Sequence, residues 1–119
     1  MKKVKEKYVE LCLKLDEADK EINTRKYNQT MRSLIKLCQY IDENKAEVAS
    51  ISDLLMHENI TVRGNAAAYC YNREINPEQA LSVMKEVYKN ATSGNLRIGM
   101  GIKLGTIDGS LSHLIPAKK

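Results

Sequence analysis

Asp53 and His57 stand four residues apart, the spacing that sets a carboxylate and an imidazole above one another on a helix face. A general base needs that proximity, and it also needs a cleft to hold its substrate. The residues around this pair are those of a wet surface, so it reads as surface chemistry rather than as a catalytic dyad. Carboxylates cluster at Asp16, Glu17, Asp19 and Glu21, and again at Asp42, Glu43 and Glu47. Neither cluster lies in apolar surroundings that would raise a pKa, and both read as solvated helix ends. The soft ligands Cys12, Cys38, Cys70, His57 and His113 are scattered, and no pair has zinc-ligand spacing. Each cysteine falls among apolar residues at helical spacing, where a thiol behaves as a small hydrophobe. The stretch Gly99-Met100-Gly101-Ile102-Lys103-Leu104-Gly105 lacks the spacing of either phosphate-binding glycine motif, and its glycines suit close helix packing instead. No catalytic residue, metal or cofactor is therefore expected, and the chain reads as a non-enzyme.

What remains is surface charge. The 119 residues carry 19 basic and 15 acidic groups, a net +4 that is unevenly distributed. The stretch 42–58 holds five acids against one lysine, whereas 94–119 holds four bases against one acid. An acidic patch steers association with a basic protein such as a nuclease. The candidate contact residues for such a partner are Asp42, Glu43, Glu47, Asp53, His57 and Glu58. The opposite option is RNA or DNA held by Arg25, Arg32, Lys36, Arg97 and Lys103. A nucleic-acid binder usually carries a denser basic stripe, so no direct nucleic-acid contact is expected.

Three cysteines cannot all pair within one chain and none stands in a C-x-x-C spacing, which suits a reducing compartment. The segment Met1–Leu15 alternates charge with apolar residues and lacks the apolar core of a signal peptide. No apolar run is long enough to span a bilayer. A cytoplasmic location with no membrane partner is the expectation.

The elements that must position these groups are helical. Hydrophobic residues make 43% of the chain, with six Tyr and no Phe or Trp, and only six Gly and two Pro. That leaves little room for a turn-rich β fold. Val4, Tyr8, Leu11, Leu15, Ala18 and Ile22 recur at alternating steps of four and three, the stripe of an amphipathic helix. Tyr27, Met31, Leu34, Cys38 and Ile41 repeat the rule, with Asn23 or Thr24 as the start and Asn44 as the end. A third helix over 45–57 presents Val48, Ile51, Leu54 and Leu55. Thr61 is the expected N-cap of a fourth helix bearing Val62, Ala66, Ala67, Tyr69 and Cys70. Asn76-Pro77-Glu78-Gln79 reads as a capped start with proline at the first helical position, and Gly94 as the stop of that fifth helix. Leu96, Ile98, Met100, Ile102 and Leu104 alternate as a strand would. A lone strand would leave its backbone unpaired, so a helix over 96–107 is the better reading. Leu111, Leu114 and Ile115 form a docking segment in the tail. The expectation is a single all-α domain over 1–119 of about six antiparallel helices stacked as a short solenoid-like bundle. Two long helices occupy 1–44, shorter ones 45–112, and a tail 113–119.

The run His57-Glu-Asn-Ile-Thr-Val-Arg-Gly-Asn-Ala-Ala-Ala68 resembles the HEAT-repeat signature, a polar turn followed by Val-Arg and then alanines. Val62, Arg63, Ala66 and Ala67 match it, and Gly64 departs from it. The resemblance covers about 52–112 and extends to Asn76–Tyr88 as a following helix. It implies that Val62 and the alanines pack between helices and that Arg63 braces the turn or the next repeat. The chain is similar in size and type to small HEAT-like bacterial domains, among them antitoxin-like immunity proteins of contact-dependent growth inhibition systems. That likeness implies a protein that binds a cognate toxin domain, such as a tRNA- or other RNA-cleaving nuclease, one to one. A nucleic-acid-binding or scaffold module of the same fold is the alternative.

Overall fold

The computed structural model describes residues 3–91 and 94–108; His113, Leu111, Leu114, Ile115 and the tail lie outside them. Within these residues the chain is helical: α1 (Val4–Lys20), α2 (Thr24–Glu43), α3 (Lys45–Val48) leading into a 3₁₀ segment (Ala49–Met56), α4 (Ile60–Asn72), α5 (Pro77–Asn90) and α6 (Gly94–Asp108). No strand occurs among the described residues, and 96–107 lies within α6 as read from the sequence. The radius of gyration of 14.0 Å is that of one all-α bundle of this length.

The stripes of α1 and α2 face each other, burying Tyr8, Cys12, Leu15 and Ala18 against Leu34 and Ile41. The α1 stripe stops one residue set earlier than its spacing predicts. Ile22 is 88% exposed and takes a left-handed backbone, φ 54°. The reason is a Schellman ending: the Asn23 N–H donates to the Ala18 carbonyl and the Ile22 N–H to the Asp19 carbonyl. The last turn of α4 ends identically, with Ile75 N–H on Cys70, Glu74 N–H on Tyr71, and Glu74 at φ 57°. Neither site carries the usual glycine.

The expected third helix is mostly 3₁₀. Val48, Ile51 and Leu54 recur every three residues, which is the period of a 3₁₀ turn, and Ile51, Leu54 and Leu55 are buried. Three expected caps also differ. Asn59, not Thr61, caps α4: its side chain accepts from the Thr61 and Val62 N–H groups. Thr61 instead donates its hydroxyl to Asp16 of α1 at 3.0 Å. Asn76 precedes Pro77 in a left-handed conformation without a side-chain cap bond, as an Asn tolerates. Gly94 begins α6 rather than ending α5, which finishes at Asn90 with Ala91 as cap.

Helix α4 is the hub. It packs on α1, the 3₁₀ segment, α5 and α6. Thr61, Val62, Gly64, Ala66, Ala67, Ala68, Tyr69 and Cys70 are all buried, covering nearly every side of the helix. A helix enclosed this way must be apolar and small all round. Gly64 is the extreme case. A Cβ there would come within 3.0 Å of Val87 on α5 and 3.1 Å of Met100 on α6. The residue that departs from the HEAT-like pattern is therefore the point where three helices meet.

Candidate functional site

The acidic stretch is divided between the two ends of α4. Asp42, at the end of α2, faces the α4 C-terminus. It accepts from Arg73 Nε at 2.5 Å and Nη2 at 2.6 Å, and from the Tyr69 hydroxyl at 2.7 Å. The Arg73 guanidinium lies 3.6 Å from the Tyr69 ring centroid, and Tyr69 meets Tyr8 edge to face at 6.2 Å. The Arg73 hydrogen bonds hold the Asp42 carboxyl below its usual range, and burial pushes the Tyr69 hydroxyl up. This carboxylate is committed to holding α2 onto α4, a structural duty that its place in a run of acids does not reveal.

His57 and Glu58 lie at the other end of α4, about 20 Å away along its axis. There Arg63 donates to the His57 and Glu58 carbonyls at 2.9 and 3.0 Å. The same guanidinium forks onto the Glu86 carboxylate of α5 at 3.1 Å through both Nε and Nη2. Arg63 thus spans the turn before α4 and the helix after it. His57 Nδ1 accepts the Asn59 N–H at 3.0 Å, which closes the turn. Beside this latch runs a shallow groove of about 380 Å³ between the 3₁₀ segment and α5, lined by Met56, His57, Glu58, Val83 and Glu86 among others. Met56 stands 78% exposed at its edge. Asp53 is exposed and pairs with Lys5 of α1 at 3.2 Å, and Glu43 and Glu47 lie further back along the chain. Of the six predicted contact residues, the fold brings His57 and Glu58 together in one groove. It sets Asp53 on the neighbouring α1 flank and separates Asp42. Asp53 and His57 do not touch each other's side chains: each has the partner just named.

The five basic candidates divide as well. Arg25, Arg32 and Lys36 form one exposed face of α2. Lys103 reaches the groove between α2 and α4, alongside Ile35 and Gln39. Arg97 lies 5.3 Å over the Tyr88 ring, in the groove between α5 and α6.

Burial keeps the thiols protonated: it raises Cys38 and Cys70 to about 11 and Cys12 higher still. Among the described residues no group of three or more His, Cys, Asp or Glu could hold a metal ion, and no helix is long and apolar enough to cross a membrane.

One groove has no counterpart among the sites singled out from the sequence. It measures about 740 Å³ and runs between α5 and α6, lined by Leu81, Lys85, Tyr88, Arg97, Ile98 and Ile102 among others. Ile98 is 64% exposed and Ile102 51%. Their signal was in the alternation itself. Residues two apart in a helix lie about 200° apart, so Leu96 and Met100 turn inward and Ile98 and Ile102 must turn out. No family model, curated protein or solved structure matches the chain.

Proposed function

We propose that this chain is an immunity-type inhibitor that binds a cognate toxin domain one to one and covers its working surface. The reading rests first on the groove beside the 3₁₀ segment. An exposed methionine stands there beside the Glu58 carboxylate, with Glu86, paired to Arg63, also lining the groove and Asp53, paired to Lys5, on the adjoining flank. Methionine adapts to irregular partner surfaces, and carboxylates at the rim steer a basic partner and fix its register. An RNA-cleaving nuclease, basic where it holds its substrate, is the partner chemistry this face suits. Inhibition would be steric, needing no reaction from the inhibitor. The HEAT-like run at 57–68 and the cytoplasmic setting belong to the same reading.

Co-expression with the product of the adjacent upstream reading frame tests it. That product should be toxic alone, harmless with this chain, and recovered with it as an equimolar complex. Asp53→Lys with Glu58→Lys should slow association at least about tenfold at low salt and less at high salt. A harmless neighbour, or no complex surviving gel filtration, defeats the proposal.

The second reading is nucleic-acid binding, favoured by the single basic face of α2 formed by Arg25, Arg32 and Lys36. It requires a salt-dependent mobility shift with RNA or DNA, and absence of a shift at low salt removes it.

A further inference from the structure

We propose that the α5–α6 groove is a second docking surface, built for an acid-flanked amphipathic helix of another protein. It lies apart from the acidic groove and carries the opposite charge. Its floor is aliphatic, from Leu81, Leu104 and Ile107, and its wall holds the exposed Ile98 and Ile102. The rim is basic. Lys85 and Arg97 line it, Arg97 being held in place over the Tyr88 ring, and among the described residues no acid lines it. Of the two acids of α5, Glu86 is drawn to the opposite side by Arg63, and Glu78, one turn before Leu81, lies outside the lining. Gly101 seats the Tyr88 ring against α6: a Cβ there would come within 2.9 Å of it.

The apolar strip continues past the groove. Ile98 also lines a smaller hollow shared with Ile22, at the α1–α2 turn. Ile22 is a β-branched residue held left-handed at 88% exposure, so the fold retains both a backbone strain and an apolar contact with water at one position. Two antiparallel helices with an aliphatic seam accept a third laid between them. From Ile98 to Ile107 the seam is about 14 Å long, room for roughly three turns of partner helix. Charge selects the occupant. A second copy of this chain would bring one basic rim against another, whereas acidic residues flanking an aliphatic stripe would meet Lys85 and Arg97.

The test uses the full chain and two fluorescent 14-residue peptides, each with Leu at helical i, i+4 and i+7 positions, one flanked by Glu and the other by Lys. The Glu peptide should bind at least tenfold more tightly. Ile98→Asp should weaken it at least tenfold without loss of helical signal, because the side chain is exposed. Lys85→Glu with Arg97→Glu should reverse the preference between the peptides. Equal binding of both peptides, or binding of neither, overturns the proposal. So does a dimer in sedimentation that Ile98→Asp dissolves, which assigns the groove to a second copy. Binding that appears only when Leu111 and Leu114 are replaced by Asp assigns it to the chain's own end. The toxin co-expression assay is independent of all these arms.

Discussion

Helices α4 and α6 both lack a regular amphipathic stripe and have opposite fates. Both are short, both mix glycine with aliphatic residues, and neither has a clean polar face. In α4 the pattern is satisfied, because neighbours enclose the helix and small side chains let them approach. In α6 it is not, because the helix sits at an edge and packs mainly on α5, leaving Ile98 and Ile102 in water. An all-round apolar helix in the centre is a hub. The same kind of helix at an edge is an unfinished layer.

The glycines separate the two helices most strongly. Gly64→Leu drives a side chain into Val87 and Met100 and should cost about 3 kcal/mol, read as a fall of roughly 10 °C in melting temperature. Gly99→Ala in α6 meets nothing within 4 Å and should stabilise by up to about 1 kcal/mol. If Gly64→Leu is tolerated, α4 is not the tight crossing described above.

The tethers differ next. Helix α4 is held at both ends, by Asn59 and Arg63 at one and by Arg73 on Asp42 at the other. Helix α6 is held at its start by Asp19 of α1, which accepts from the Asn95 side chain at 2.9 Å and the Leu96 N–H at 3.4 Å. Asp19→Ala should cost about 1 kcal/mol and speed amide exchange in α6 more than in α4. The α4 tether carries its own pH dependence. Asp42 titrates below its unfolded value because of Arg73, so its contribution is present above about pH 4 and is lost as pH falls through its folded pKa. Arg73→Gln should flatten that acid limb of the stability curve. The carboxylate is partly solvent-exposed, so the effect stays within about 1 kcal/mol. The smallest change should come from Ile98→Ser and Ile102→Ser, each within about 0.5 kcal/mol, since neither residue is in the core. A larger loss in thermal unfolding would mean that α6 is packed more fully than its exposure indicates.

Much of the architecture was legible because hydrophobic period reports burial directly. The stripes through Leu15 and Leu34 place α1 and α2, proline at the first helical position places the start of α5, and the refusal of a lone strand places α6. What escaped depends on geometry that side-chain type does not announce. Ile22 and Glu74 close Schellman motifs without glycine, so both turns lacked their usual marker. Asn59 outcompetes Thr61 for the cap because Asp16, distant in sequence, engages the Thr61 hydroxyl. The acidic stretch looked like one surface, but the bend between α2 and α4 gave Asp42 to Arg73 and left His57 and Glu58 at the other end of the hub.

The Asp19 tether also sets an order of events during synthesis. Its carboxylate is made with the first helix, and its donors follow 76 and 77 residues later. Until then α1 can settle on α2 and α4 while its acidic end stays solvated. Closure of α6 thus has to wait until Asn95 and Leu96 are free to reach Asp19, and only then does Ile98 come into line with Ile22.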